Sequence, residues 1–287
     1  MNDMLLPHLP DLLVQEAVKS ALLEDWGRAG DITSQATLPK SARASAAIAA
    51  RKPGVLCGLA FAASAFLQTD KGLIFEATKH DGDHLSPKET VARIQGPARA
   101  LLSAERVALN FVGHLSGIAT ATSRFAEAIQ HTKAKIVCTR KTTPGLRAFE
   151  KYAVKCGGGA NHRFGLDDAI LIKDNHIAVA GGVRKAIEAA KAFAGHLVKI
   201  EVEVDTLEQL REALDAAPDV IMLDNMSPET LREAVALTDG RALLEASGGI
   251  ELDTVKSVAE AGVDLISTGW ITHSAPVLDL GLDIEMS

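Results

Sequence analysis

Aromatic side chains are scarce in this sequence: eight Phe, two Trp and one Tyr amount to 4% of 287 residues. The apolar content, 47% in all, rests on Ala, Val, Leu and Ile instead. That mix suits close helix–strand packing better than aromatic stacking surfaces. Cysteine is almost lacking as well. Cys57, Cys138 and Cys156 are odd in number, widely spaced and without a CxxC pair, so neither a disulfide framework nor a zinc motif is indicated. A reducing, cytoplasmic compartment is the expectation. No run reaches the roughly 18 apolar residues of a membrane span. The opening "MNDMLLPHLPDLLVQEAV" lacks the basic start, apolar centre and small-residue cleavage site of a signal peptide. An excess of basic charge is missing too: the formal net charge is −7, which argues against a nucleic-acid partner.

Against that acidic background one stretch stands out. "TRKTTPGLRAFEKYAVKCGGGANHR" (139–163) holds six Lys or Arg and one His in 25 positions. From 133 to 176 there are nine Lys/Arg and four Asp/Glu, against 21 and 33 in the remainder, so the basic charge is local. Arg147, Lys151 and Lys155 fall at i, i+4, i+8 and read as one helix face; for Lys151 and Lys155 a water-facing role is expected. Arg140, Lys141, Arg163 and Lys173 do not fit that reading, because they sit at strand ends or beside Gly157–Gly159. Several cations converging on one pocket imply a ligand with more than one negative charge. The glycines permit unusual backbone angles or a close approach to a ligand, and His162, between them and Arg163, is a candidate anion contact.

The length allows one large domain or two modest ones. The first part mixes elements without a fixed period. A helix is expected over 11–25, with Asp11 at its N-cap and Leu13, Ala17, Ala21 and Leu22 on its apolar side. Two strands flank the turn "RKPG" within 44–58. A helix over 59–69, strands at 73–77 and 89–95, and a long helix over 98–128 follow. From about 135 a β/α alternation begins, with strands at 135–139, 169–173, 198–204, 220–224, 242–246 and 264–268. Helices are expected at 182–192, 206–215, 228–237 and 251–261. The last four strands recur every 22 residues or so. Their near-continuous apolar runs indicate a parallel sheet buried on both faces, and a barrel-like β/α domain.

In such a barrel chemistry sits at the C-terminal strand ends. Here these ends carry Arg140-Lys141, Lys173-Asp174, Glu203, Asp224, Ser247-Gly248-Gly249 and Ser267-Thr268-Gly269. "EASGGI" and "LISTGW" have the form of late-strand loops that hold a phosphate on backbone N–H groups. Glu203 and Asp224 end adjacent strands; beside a phosphate they suggest Mg²⁺ or stabilisation of a developing positive charge. Glu201 is expected on the opposite face of its strand, which leaves Glu203, nearer the strand end, as the functional carboxylate. Glu105 and Arg106, embedded in apolar helix sequence, form either a buried bridge or part of a site across a subunit interface.

As a set these motifs resemble the quinolinate phosphoribosyltransferases, also called carboxylating nicotinate-nucleotide pyrophosphorylases. The resemblance rests on "TRKTTPGLRAFEKYAVKCGGGANHRFGLDDAILIKDNH". "EDWGRAGDIT", "ERVALNFVGHLSGIAT", "IEVEVDTLEQL", "IMLDNMSPE", "EASGGI" and "STGWITHSAP" support it, in the family's order and over nearly the whole chain. It implies an N-terminal α/β sandwich domain (1–112) and an incomplete parallel β/α barrel (113–272). It also implies that the tail, 273–287, returns to the first domain. The implied reaction joins quinolinate and phosphoribosyl pyrophosphate, with Mg²⁺, into nicotinate mononucleotide, pyrophosphate and CO₂, in de novo NAD synthesis.

Residue by residue, the resemblance puts Arg140, His162, Arg163 and Lys173 on quinolinate, with Arg106 reaching in from the partner subunit of a homodimer. Lys141, Glu203 and Asp224 become catalytic, and Glu203 and Asp224 the metal carboxylates. Ser247, Gly248, Gly249, Gly269 and His273 fall at the phosphate and pyrophosphate positions. Three rivals are a related protein encoded beside molybdate transport, a nicotinate phosphoribosyltransferase and a non-catalytic anion-binding barrel. The nicotinate enzyme handles one carboxylate and needs fewer cations. The anion binder has no use for two acidic groups facing its ligand.

Overall fold

A computed structural model describes residues 6–285. Residues 1–5 of the opening stretch and 286–287 of the tail lie outside the described residues. The chain forms two compact units: residues up to 121 with 155–158 and 275 onward, and residues 122–154 with 159–274.

The first unit contains α1 (Asp11–Trp26), α2 (Ile32–Thr37), β1 (Arg43–Ala50), β2 (Gly54–Val55), α3 (Leu59–Thr69), β3 (Ile74–Ala77), β4 (His84–Leu85), β5 (Thr90–Pro97), the start of α4 (Ala98–Ile129) and the last strand, β12 (Leu280–Glu285). Four strands form an antiparallel sheet in the order β12-β1-β5-β3, and β2 pairs with β4. The central strand β1 is built almost entirely of small residues, and Ala46–Ala50 are buried, so neighbours close on both of its faces. In α1 the buried stripe is Val14, Val18 and Leu22, while Leu13 is 44% exposed. The expected stripe was therefore one position out of phase. Asp11 is the first helical residue, not the cap; Pro10 precedes it, and the Asp11 charge suits the positive end of the helix dipole.

The second unit holds the rest of α4, then β6 (Lys135–Val137), most of α5 (Arg147–Cys156), β7 (Ile170–Ile172), α6 (Asp174–Ala180), α7 (Val183–Phe193), β8 (Ile200–Val204), α8 (Leu207–Ala216), β9 (Val220–Asp224), α9 (Pro228–Thr238), β10 (Leu243–Ser247), α10 (Val255–Glu260), β11 (Leu265–Ser267) and α11 (Trp270–His273). Local sequence sets the helix starts: Thr206 caps α8 by accepting from Gln209 N, and Ser227 caps α9 before Pro228 by accepting from Thr230 N. The six strands are parallel, in the order β6-β11-β10-β9-β8-β7. This is the cyclic order of a barrel in which β6 pairs with β11, leaving the ring open between β6 and β7.

Because strand side chains alternate, Leu171, Glu203, Met222, Asp224, Glu245, Ser247 and Ser267 share the inner face, and all seven line one cavity. Glu201 belongs to that face too, against expectation. Residues two apart on a strand point the same way, and Glu201 is buried where it meets His162.

Candidate active site

The strand ends surround a cavity of about 770 Å³. Arg140 and Lys141 enter it from the segment after β6, and His162 and Arg163 from the stretch before β7. Lys173 follows β7, and Glu203 and Asp224 end β8 and β9. Ser247, Gly248 and Gly249 follow β10, Gly269 and His273 follow β11, and all of these residues line the cavity. Arg106 does not. It is an exposed residue of α4 in the first unit.

The cationic wall is under-compensated. Arg140 Nε is buried with no hydrogen-bond partner among the described residues. Arg163 donates one N–H to Ala169 O at 3.1 Å, and burial together with the charge of Arg140 lowers its basicity. Two guanidinium groups that disfavour each other, one with an unused buried donor, create a place for an anion. The rest of the basic stretch does structural work. Arg147 bonds Thr142 Oγ1 and Phe164 O, joining the two cavity loops. Lys151, expected to face water, is buried. Its ammonium bonds Cys138 Sγ and His162 O, both at 2.9 Å, because α5 turns that face inward. Lys155 is only half-buried. The triple glycine ends α5, with Gly158 left-handed (φ 83°), and lies outside the cavity lining.

His162 reaches the cavity with both ring nitrogens engaged. Nδ1 accepts the Arg163 backbone N–H at 2.7 Å, and Nε2 lies 2.8 Å from Glu201 Oε2. Burial disfavours an imidazolium, yet the carboxylates of Glu201 and Glu245 outweigh it and raise the ring's basicity. A second ring proton would however sit on Nδ1, facing the Arg163 N–H. The hydrogen-bond pattern therefore assigns the neutral ring with its proton on Nε2. Glu245 is 1% exposed and 3.8 Å from the same nitrogen. Burial and the charge of Glu201 push its carboxyl up to about 7. Sequence reading passed over Glu245. Its signal was a lone acid in the apolar run "ALLEA", two positions before Ser247 and so on the same face.

The other acids differ from one another. Glu203 is ion-paired with Lys173. Asp224 holds its proton more tightly than usual through burial and the nearby Asp205, and accepts a hydrogen bond from Asn225 Nδ2 at 2.6 Å. The two late loops are shaped for close approach. Gly248 has φ 95°, and a Cβ there would lie 2.9 Å from Asn225 N. Asn225 N in turn donates to Ser247 O at 2.9 Å, tying the ends of β9 and β10 together. At Gly269 a Cβ would meet Lys141 Cδ at 2.8 Å, so the missing side chain gives Lys141 its path into the cavity. Thr272 fixes that path by donating to Lys141 O at 2.7 Å.

An open parallel barrel with paired arginines, two acidic strand ends and glycine loops after its last strands defines a β/α enzyme for a multiply anionic, phosphate-bearing substrate. Residues 31–116 match the family model for the N-terminal domain of quinolinate phosphoribosyl transferase, and residues 118–283 that for its C-terminal domain. The chain is 46% identical to a probable nicotinate-nucleotide pyrophosphorylase [carboxylating] of Bacillus subtilis, covering 96% of this chain and 95% of that protein. It is 41% identical to a mitochondrial quinolinate phosphoribosyltransferase [decarboxylating] of Nicotiana tabacum, covering 97% and 84%. The solved nicotinate-nucleotide pyrophosphorylase of Francisella tularensis superposes with a TM-score of 0.93 at 40% identity, over 97% and 98% of the two chains. The chain belongs to the quinolinate phosphoribosyl transferase family.

Proposed function

We propose that this protein transfers the phosphoribosyl group of phosphoribosyl pyrophosphate to the ring nitrogen of quinolinate and releases pyrophosphate and CO₂, leaving nicotinate mononucleotide for NAD synthesis in the cytoplasm. The observation that carries the reading is the pairing of Arg140 and Arg163 over one cavity with the glycine loops. Quinolinate bears two carboxylates and needs paired cations. Lys141 and the half-exposed Lys173 extend the same wall, and His162 braces it by holding the Arg163 backbone. Ser247, Gly248, Gly249 and Gly269 offer the backbone for the 5′-phosphate, with His273 beside them.

As pyrophosphate leaves, the ribose C1′ gains positive charge. Glu203 and Asp224 favour that charge electrostatically, and the arginines hold the pyridine nitrogen in line. The resulting pyridinium then draws the electron pair of the departing carboxylate. Mg²⁺ fits the acidic side of the cavity. Asp224 supplies a hard oxygen donor whose charge is poorly offset, whereas Glu203 is held by Lys173. Asp224 would hold the cation, which would offset the negative charge of the departing pyrophosphate. Among the described residues no helix is long and apolar enough to cross a membrane. We assign Arg106, exposed on α4, to the cavity of a second copy in a homodimer.

The test is to mix the purified protein with quinolinate, phosphoribosyl pyrophosphate and Mg²⁺, with nicotinate as a parallel substrate. Nicotinate mononucleotide and CO₂ from quinolinate alone are expected; turnover of nicotinate, or none at all, would reject the reading. Gly248→Ala should raise the KM for phosphoribosyl pyrophosphate by about tenfold or more, since a Cβ would press on Asn225 in a left-handed backbone. The KM for quinolinate should move far less. An equal rise in both would count against the phosphate assignment.

A further inference from the structure

Loss of CO₂ from quinolinate leaves an electron pair on the ring carbon beside the pyridinium nitrogen, and that carbon must gain a proton. Most protonated groups at the cavity are committed elsewhere. His162 gives its Nε2 proton to Glu201 and accepts on Nδ1. Lys173 is paired with Glu203. Arg163 is tied to Ala169 O, and guanidinium groups do not give up protons at neutral pH.

Glu245 differs from all of these. It lines the cavity from the inner face of β10, is 1% exposed, and its Oε1 is buried without a hydrogen-bond partner among the described residues. The groups that face it are Glu201 from β8, His162 from the segment before β7, Lys173 after β7 and Ser267 from β11. The nearest imidazole proton has been taken by Glu201, at 2.8 Å against 3.8 Å. Two carboxylates around one imidazole in a buried pocket do not both ionise, so one of them keeps its proton. Burial and Glu201 place that proton on Glu245 near pH 7.

Resting on the quinolinate reading above, we propose that Glu245 is the acid that protonates the ring carbon exposed by decarboxylation. The C–CO₂ bond breaks with its electron pair left on carbon, CO₂ departs, and the Glu245 O–H bond breaks as the new C–H bond forms. Glu245 is left as a carboxylate that regains its proton from solvent. No oxidant or reductant takes part.

Rapid-quench single turnovers of the full chain with quinolinate, phosphoribosyl pyrophosphate and Mg²⁺ test this, with pyrophosphate, CO₂ and both nucleotides followed. In Glu245→Gln, pyrophosphate release should stay within about threefold of wild type. Conversion of the still-dicarboxylated nucleotide to nicotinate mononucleotide should slow by about 100-fold, so that the intermediate accumulates. Glu245→Asp should recover part of the rate. In wild type the second step should fall above about pH 7, a limb that Glu245→Gln lacks. Product at the wild-type rate from Glu245→Gln would overturn the proposal and pass the role to Lys141 or water. So would equal loss of both steps in the two variants, which makes Glu245 part of the pocket's shape. If the Gln variant does not fold, the Asp variant and the wild-type pH limb decide. Wild type releasing neither pyrophosphate nor CO₂ would remove the functional reading itself, and the proposal with it.

Discussion

Arg140→Ala is expected to lower kcat/KM for quinolinate by about 1000-fold or more while the protein stays folded. Three features set this apart from an ordinary surface arginine. Its Nε is buried without an acceptor among the described residues, so its binding capacity is unspent. Its charge acts on another guanidinium, Arg163, whose basicity it lowers. And it lies in the segment that follows the C-terminal end of β6, where the barrel puts chemistry. A dicarboxylate lost from that fork gives up charge-assisted bonds in a partly dry pocket and leaves Arg163 to hold two carboxylates. Removing one of two repelling cations should leave the ligand-free fold no less stable, so urea midpoints should match wild type or exceed it. Arg140→Lys keeps the charge but not the planar fork, and should fall between. An unchanged kcat/KM in the Ala variant would sink the role given to Arg140.

The contrast between Arg140 and Lys151 shows what the sequence makes legible. Both belong to the same basic stretch. Arg140 was readable because it follows an apolar run, and strand ends in a β/α repeat point at the site whatever the packing. Lys151 was not, because a helix face seen in isolation gives its period but not its neighbours. Only the fold brings Cys138 Sγ and the His162 carbonyl to its ammonium. The same limit governs α1, where period placed the helix but packing chose Val14, Val18 and Leu22. The parallel strands were legible because each reads as an apolar run, and the last four keep a spacing of about 22 residues. The two-residue β4 and β12, which runs from a buried Leu280 to an exposed end, carry no such pattern, and pairing with β2 and β1 defines them. At the site, family motifs reached Glu203 and Asp224. Strand parity alone would have reached Glu201 and Glu245, since both lie an even number of positions from recognised inner-face residues. Their meaning, two acids around one imidazole, exists only once β8, β10 and the segment before β7 have met.

That cluster leaves a signature in stability as well as in rate. Glu245 should make the wild type lose stability as pH rises from about 4.5 to about 7, and Glu245→Gln should remove most of that loss. The sign follows from proton binding. The folded protein holds the Glu245 proton up to about pH 7, whereas the unfolded chain releases it near the ordinary 4.5. Between those values the folded state binds more protons, so raising the pH favours unfolding. The term is absent below the unfolded value and complete above the folded one, and a shift of this size corresponds to about 3 kcal/mol. Urea unfolding of both proteins at several pH values follows it, because they differ in that one side chain and the buried cluster around it. Above pH 7 the Gln variant should be the more stable of the two, keeping the shape of the side chain without a buried charge beside Glu201. Glu201→Gln should act on the same proton by another route. With that neighbouring charge gone, Glu245 ionises more readily and its step moves to lower pH. Parallel stability curves for wild type and Glu245→Gln across this range would mean that Glu245 is already ionised in the folded protein, and would take the proton away from both the stability argument and the proposed acid.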